Sequence, residues 1–390
     1  MNTIVSHRIE SLDLLKGLVM VLMALDHTRD YFHNAAFVFD PTDPLLTDVP
    51  LYFTRWITHL CAPAFSFLAG ISAYLVGRRK SRKELSSFLL KRGLWLVVIE
   101  ITVVNFSWYF DIHFSFVSLL VIWSLGISMI ILAALIHLPS KMILLFSLIV
   151  IFGHNLLDYI SVEKSILWSI LHERGAFVLS DEMELLIAYP IIPWVGVMSL
   201  GYYFGSFYRK DLEPQKRQRL LSQIGFLAVV LFMLVRFINL YGNPSHWKSF
   251  ETLQQTLFSF FDPLKYPPSL SYLLMTLGPT LLFLAYAEKW KGKAVEFFSV
   301  FGRVPFFYYI IHIYIIHLFA LFLAQMTGFG WQKMILTDWV TNSKDLVGYG
   351  LDLWLVYLIW IGVIMMLYPL CKKFGAYKLG HKEKWWLSYF

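Results

Sequence analysis

Six ionisable side chains, His27, His59, Glu100, His154, Arg236 and His317, stand inside stretches that are otherwise apolar. Within lipid such groups are costly, and they mark proton relays, ligand sites or ion paths. Any one of them is equally explained by a single helix neighbour or by snorkelling to the interface. His27 has the most chemistry around it, because it belongs to the run Asp26-His27-Thr28-Arg29-Asp30. An imidazole beside two carboxylates can be held in one tautomer and made more basic, as a general base or a nucleophile requires. Asp13, Gly17, Met20, Ala24, His27 and Tyr31 recur at steps of three and four, which puts them on one helix face. That face is acidic at its start, narrow in the middle and ends in the imidazole. It reads as a slot leading to His27 or, at Gly17, as a close helix contact. Glu100, a carboxylate deep in an apolar stretch, calls for an imidazole or Arg236 as its partner.

Membrane helices must position these groups. The 390 residues are 58% hydrophobic and 15% charged, against about 45–50% and about 25% in soluble globules. A span takes roughly 20 mainly apolar residues. Ten segments qualify: 12–32, 53–77, 86–109, 115–137, 142–160, 187–208, 220–241, 269–287, 304–325 and 351–371. The expected fold is all-α, a polytopic membrane protein of about ten transmembrane helices forming one domain, 1–390. The first segment holds Asp26 and His27 and lacks a small-residue cleavage site, so it is expected to be retained rather than removed as a signal peptide. Cys61 and Cys371 both fall in apolar segments. Neither a disulfide framework nor a zinc site, nor any other metal, is expected from them.

The formal charge of +7 needs no nucleic acid, since basic loops orient membrane proteins. With the N-terminus in the cytoplasm, 24 Lys and Arg fall on inner segments and 8 on outer ones, the asymmetry of the positive-inside rule. Both termini are then cytoplasmic, and the long loops 161–186, 242–268 and 326–350 are external. In the first of these, Ile166, Leu167, Ile170 and Leu171 have helical spacing and predict a short interfacial helix. Loops of this length serve as lids or as connectors. In this topology five of the six ionisable groups lie about 12 to 16 residues from the inner ends, roughly 18–24 Å up at 1.5 Å per residue. His59 reaches the same layer from outside.

The stretch Arg8…Leu12-Asp13…Lys16-Gly17, followed by Leu22-Met23, resembles the start of the heparan-α-glucosaminide N-acetyltransferase catalytic domain and its bacterial relatives, and more broadly the transmembrane acyltransferases. Lys16 departs from the Arg usual at that position. The broader acyltransferases carry a His fourteen residues after the Asp, where this chain has His27. The lysosomal enzyme has Asn there and its implicated His further along, for which His33 is the nearest counterpart. Pro63 to Gly70, Arg92 with Asn105, Leu125-Gly126, and Gly302…Tyr309…His312 are similar to later motifs of the family, with Trp123 in place of a common Gln.

The resemblance implies transfer of an acetyl group from cytosolic acetyl-CoA to a sugar acceptor across the membrane. It points to His27 as catalyst, with Asp26, Asp30 and His33 beside it. Arg29, His59, Glu100, Asn105, Arg236 and His312 are expected to meet the acceptor, and Lys16, Arg92 and Arg303 the phosphates of CoA. As plain orienting charges, these three basic residues would carry no ligand. Three other classes stay open. A secondary transporter would use Pro63, Pro190, Pro193 and Gly278-Pro279 as helix breaks. An O-acyltransferase of envelope glycans and a non-catalytic assembly protein are the others, and a homodimer is among the assemblies the sequence allows. The topology is tested by Lys80→Cys: a membrane-impermeant thiol reagent should label it only from the cytoplasmic side, and labelling from outside would overturn the assignment.

Overall fold

The computed structural model describes residues 9–160 and 162–389, so Arg8 of the first motif lies outside the described residues. The chain runs through α1 (Glu10–Phe32), α2 (Val49–Thr58), α3 (Cys61–Gly77), α4 (Arg82–Ile99), a π turn (Glu100–Val104), α5 (Asn105–Tyr109), β1 (Phe116–Leu119), α6 (Val121–Leu135), α7 (Ser140–Gly153) and α8 (Ile166–Leu171). It continues with β2 (Gly175–Ser180), β3 (Met183–Ile187), α9 (Ile191–Gly205), α10 (Pro214–Ile238), α11 (Leu253–Phe260), α12 (Leu270–Ala287), α13 (Lys293–Arg303), α14 (Pro305–Met326) and α15 (Leu353–Gly380). Local signals set several of the helix starts. Asp48, Ser269 and Thr252 cap α2, α12 and α11 through their side chains, and Ser81 with Glu84 forms a capping box on α4, satisfying amides that have no partner inside the helix.

Each of the ten apolar segments carries a helix. Six helices among the described residues are long and apolar enough to cross a membrane: Val49–Gly77, Ser140–Tyr159, Pro214–Ile238, Leu270–Ala287, Pro305–Met326 and Leu353–Gly380. The other segments differ for visible reasons. α1 carries Glu10, Asp13, Lys16, Asp26, Arg29 and Asp30, α4 opens on Arg82 and Lys83, and α6 and α9 have 15 residues each. Phe226, Phe237, Phe322 and Met365 stand exposed on the outside of α10, α14 and α15, side chains that suit lipid as solvent. α1 and α12 are the buried centre.

The all-α expectation needs one correction. β1 pairs parallel to β3, and β3 pairs antiparallel to β2, giving a three-stranded sheet. Loop 161–186 forms the expected short helix α8 and then turns into the β2–β3 hairpin. Gly175–Ser180 and Met183–Ile187 lack the apolar–polar alternation that announces a strand, and β3 finds partners on both sides, β2 next to it in the chain and β1 from the segment before α6.

Glycines mark the tightest crossings. A Cβ on Gly17 would stand 1.8 Å from the carbonyl oxygen of Phe298, and one on Gly302 1.8 Å from that of Asp13. α1 and α13 therefore touch backbone to backbone. Gly70 and Gly201 do the same for α3 and α9, at 2.0 Å from Met198 O and 2.0 Å from Phe67 O. Of the two readings of Gly17, the structure has the close contact. Pro63 shapes the break between α2 and α3. It has no amide hydrogen to give to the His59 carbonyl four residues back, and that oxygen instead accepts from the Tyr272 hydroxyl at 2.8 Å.

Gly17→Ala should therefore destabilise the fold by about 1–3 kcal/mol or more, the cost of overpacking a close contact. Gly153→Ala, with nothing within 4 Å of its Cβ, serves as the control. Thermal melting in detergent reads the difference; equal melting of the two variants would contradict the backbone contact.

Candidate active site

Two cavities meet inside the bundle. The first, about 570 Å³, lies at the C-terminal half of α1 and is bordered by the segments after α1 and α11. The second, about 290 Å³, lies at the N-terminal half of α1, between α3, α4, α6 and the α13–α14 elbow. Phe65, Val121 and Tyr309 line both, so they form the partition where the two cavities adjoin.

Asp26, His27, Arg29, Asp30, His33 and His59 all line the first cavity. Asp26 is the hub of its charges. Arg55 Nη1 donates to both of its oxygens, at 2.9 and 2.7 Å, Arg29 Nη2 stands 3.0 Å away, and Lys265 Nζ 3.9 Å. Arg29 also pairs with Asp30. The expectation that the two carboxylates hold His27 is thus corrected: they are bound by cations instead. His27 Nδ1 lies 2.8 Å from His312 Nε2, and its ring meets Trp108 edge-on at 4.7 Å. His33 Nδ1 accepts from the Ala35 amide at 3.2 Å. His59 Nδ1 is buried with no hydrogen-bond partner among the described residues.

Lys16, Arg92 and Arg303 line the second cavity together with Lys378 and one carboxylate, Asp13. Lys16 Nζ donates to Ser72 Oγ at 2.8 Å. The rest of the wall is mostly apolar, with Met20, Leu96 and Met129 among its residues. Basic groups beside a mostly apolar wall suit a ligand that joins an anionic head to an apolar arm.

Glu100, Asn105, Arg236 and His312 line neither cavity. Glu100 does not pair with an imidazole or with Arg236. Its Oε1 accepts from the Leu120 amide at 3.0 Å, at the N-terminus of α6, where backbone amides favour a carboxylate. The π turn that begins at Glu100 adds a residue to the helix, as such turns do at specialised positions. Asn105 ties this turn to β1, donating to the carbonyls of Glu100 and Ser118 and accepting from the Ser118 amide. Arg236 holds the carbonyls of Phe260 and Ser259, at 2.8 and 2.7 Å. His154 meets the carbonyl of Pro268, and His317 those of Ser107 and Met334. The single polar layer expected from depth is therefore resolved into a site and a set of clamps on the loops that cover it.

Several lining residues escaped the sequence reading. Arg55 stands four residues before His59, hence on the same helix face, a signal that was available. Lys265, Asp262 and the stacked pair Trp108 and Trp339, centroids 5.5 Å apart, gave none. Among the described residues no group of three or more His, Cys, Asp or Glu is placed to hold a metal ion.

The chain matches the family described as heparan-alpha-glucosaminide N-acetyltransferase, catalytic, over residues 8–237. No curated protein matches it.

Two carboxylates on the covering segments face the first cavity, Asp40 and Asp262. Burial would raise Asp40, but the Thr42 amide and Arg55 keep it below the usual range. Asp262 is pushed up to about 7, by burial first and then by the charge of Asp40. The unfolded value is about 3.9, so between these limits the folded protein keeps a proton that the unfolded chain has lost. This group's contribution to stability therefore falls as pH rises from about 4 to about 7 and is level above. Asp262→Asn should remove that slope. Its melting temperature relative to the wild type should climb across the same interval; a constant offset would show that Asp262 is not held protonated.

Proposed function

Because the chain belongs to the heparan-alpha-glucosaminide N-acetyltransferase catalytic family, we propose that it is a transmembrane acetyltransferase that takes acetyl from cytosolic acetyl-CoA and gives it to an amino sugar or other sugar on the outer side of the cell (inner) membrane. The pair of cavities sharing Phe65, Val121 and Tyr309 is the observation that carries this reading. A reaction between a donor and an acceptor on opposite sides of a bilayer needs two entrances and a thin common wall.

Lys16, Arg92 and Arg303 would hold the phosphates of acetyl-CoA at the cytoplasmic rim, as charge-assisted contacts. The apolar interior beyond them would take the arm that ends in the thioester. Asp26, Arg29, Asp30, Arg55 and Lys265 give the other cavity fixed charges of both signs, suited to a polar acceptor. In the proposed topology of ten helices with both ends in the cytoplasm, the basic cavity would face inside and the charged one outside.

His27 lines the acceptor cavity and not the donor cavity. That placement favours a base acting on the acceptor over a nucleophile acting on the thioester. His27 takes the proton from the attacking amine or hydroxyl while the acceptor forms its bond to the acetyl carbon. Asp26, adjacent in sequence and bound by cations, lends negative charge near the imidazolium that results.

Labelled acetyl transfer in reconstituted vesicles, over a panel of amino sugars, tests the proposal. Proton transfer by a positioned side chain contributes about 10²–10⁴-fold. His27→Ala should lose at least that factor while acetyl-CoA binding persists, and His27→Gln should fail too because it lacks a basic nitrogen. Near-normal transfer by both variants would remove His27 from the mechanism.

A further inference from the structure

The groups behind His27 decide where its proton sits. His312 Nδ1 lies 3.0 Å from the carbonyl oxygen of Tyr308, and a carbonyl only accepts. With both rings neutral, His312 carries its proton on Nδ1 and a lone pair on Nε2. That nitrogen is 2.8 Å from His27 Nδ1, so His27 donates from Nδ1. The remaining nitrogen, His27 Nε2, keeps its lone pair and makes no hydrogen bond among the described residues.

Ring geometry agrees. The planes are 18° apart and the centroids 5.0 Å apart, while the facing nitrogens are only 2.8 Å apart. The rings therefore lie end to end and nearly coplanar, as a straight N–H···N bond requires. Reversing the protons would turn the lone pair of His312 Nδ1 against the Tyr308 oxygen, leaving two buried acceptors and no donor between them.

His312 is wholly buried and lines neither cavity, so it touches neither substrate. We propose that His312 is a positioning residue that selects the Nδ1–H tautomer of His27 and so leaves Nε2 bare as the base. The role rests on the acetyl-transfer reading above. In the step it serves, the proton of the acceptor N–H or O–H passes to His27 Nε2. The freed electron pair bonds to the acetyl carbon, the carbon–sulfur bond breaks, and the thiolate leaves with its electrons. The imidazolium keeps its Nδ1–H bond to His312 and then returns the added proton to the thiolate. Every atom and charge is accounted for.

Nitrogen-15 NMR of the full chain, labelled at histidine and reconstituted in lipid bilayers, reads the tautomer directly and needs no substrate. The wild type should show His27 protonated at Nδ1 and bare at Nε2, assigned by loss of the signals in His27→Gln. His312→Gln keeps an acceptor oxygen facing His27 and should preserve both the spectrum and most of the turnover. His312→Phe removes it. His27 should then show mixed tautomers, and kcat should fall roughly 10²–10⁴-fold, the range for a base or its tautomer lost, with KM for acetyl-CoA unchanged. A proton on Nε2 of His27 in the wild type would overturn the proposal, as would an unaltered spectrum and kcat in His312→Phe. The expected tautomer with no acetyl transfer to any acceptor would uphold the hydrogen-bond assignment and sink the transferase reading on which the role rests.

Discussion

Helices in lipid gain little by burying apolar surface against one another, because acyl chains are as apolar as leucine. Close packing must hold them, and two backbones touch most readily where a glycine leaves out the Cβ that would stand between them. The contact of Gly17 with Gly302 is the one on which this site depends. It pins α13 to the lower half of α1, and the turn at Val304 sends α14 upward beside it. His27 stands ten residues after Gly17, and His312 ten residues after Gly302. Over α1 that is about 15 Å of helix. A displacement at the crossing is carried along that lever to a hydrogen bond that tolerates only a few tenths of an ångström.

The same economy governs the buried charges. An ionised group taken out of water must be paired or hydrogen-bonded, and removing one partner of a buried pair costs about 3–5 kcal/mol. Arg236 meets this demand with carbonyls at the C-terminus of α11, where the helix dipole is negative. His154 and His317 also turn to carbonyls of covering segments, and Glu100 to an amide at the start of α6. Each anchors a loop or turn around the first cavity. Asp26 is different, since it gathers Arg29, Arg55 and Lys265 on one carboxylate within the cavity wall itself. These ties join α1, α2 and the segment before α12, three pieces far apart in the chain. Fixed dipoles and charges of this kind are what a preorganised site uses to stabilise charge that develops in a reaction.

Much of the framework was legible in the sequence. Segments of apolar residues announced the helices, because a backbone in lipid has to satisfy its own hydrogen bonds. Steps of three and four placed His27 on the inner face of α1, and the basic residues Lys16, Arg92 and Arg303, read as one group, line one cavity. Loop 161–186 showed its helix but hid its hairpin, because Gly175–Ser180 and Met183–Ile187 lack the apolar–polar alternation by which a strand is read.

What the sequence could not decide was which partner each buried group takes. Asp26 and Asp30 are the nearest charges to His27 along the chain, yet the imidazole bonds to His312, 285 positions away. Glu100 and Arg236 have opposite charges and similar depth, yet each finds backbone groups instead. Periodicity along a helix gives the face a residue occupies, since that follows from 3.6 residues per turn. The element opposite that face is set by helix crossings, and those depend on close contacts of glycines with elements far away in the chain. The sequence by itself determined the helices and the side chains that had to be kept from lipid. Only the tertiary structure decided that they would form two cavities with one partition, because that arrangement exists only once α1, α3, α6 and α14 are packed together.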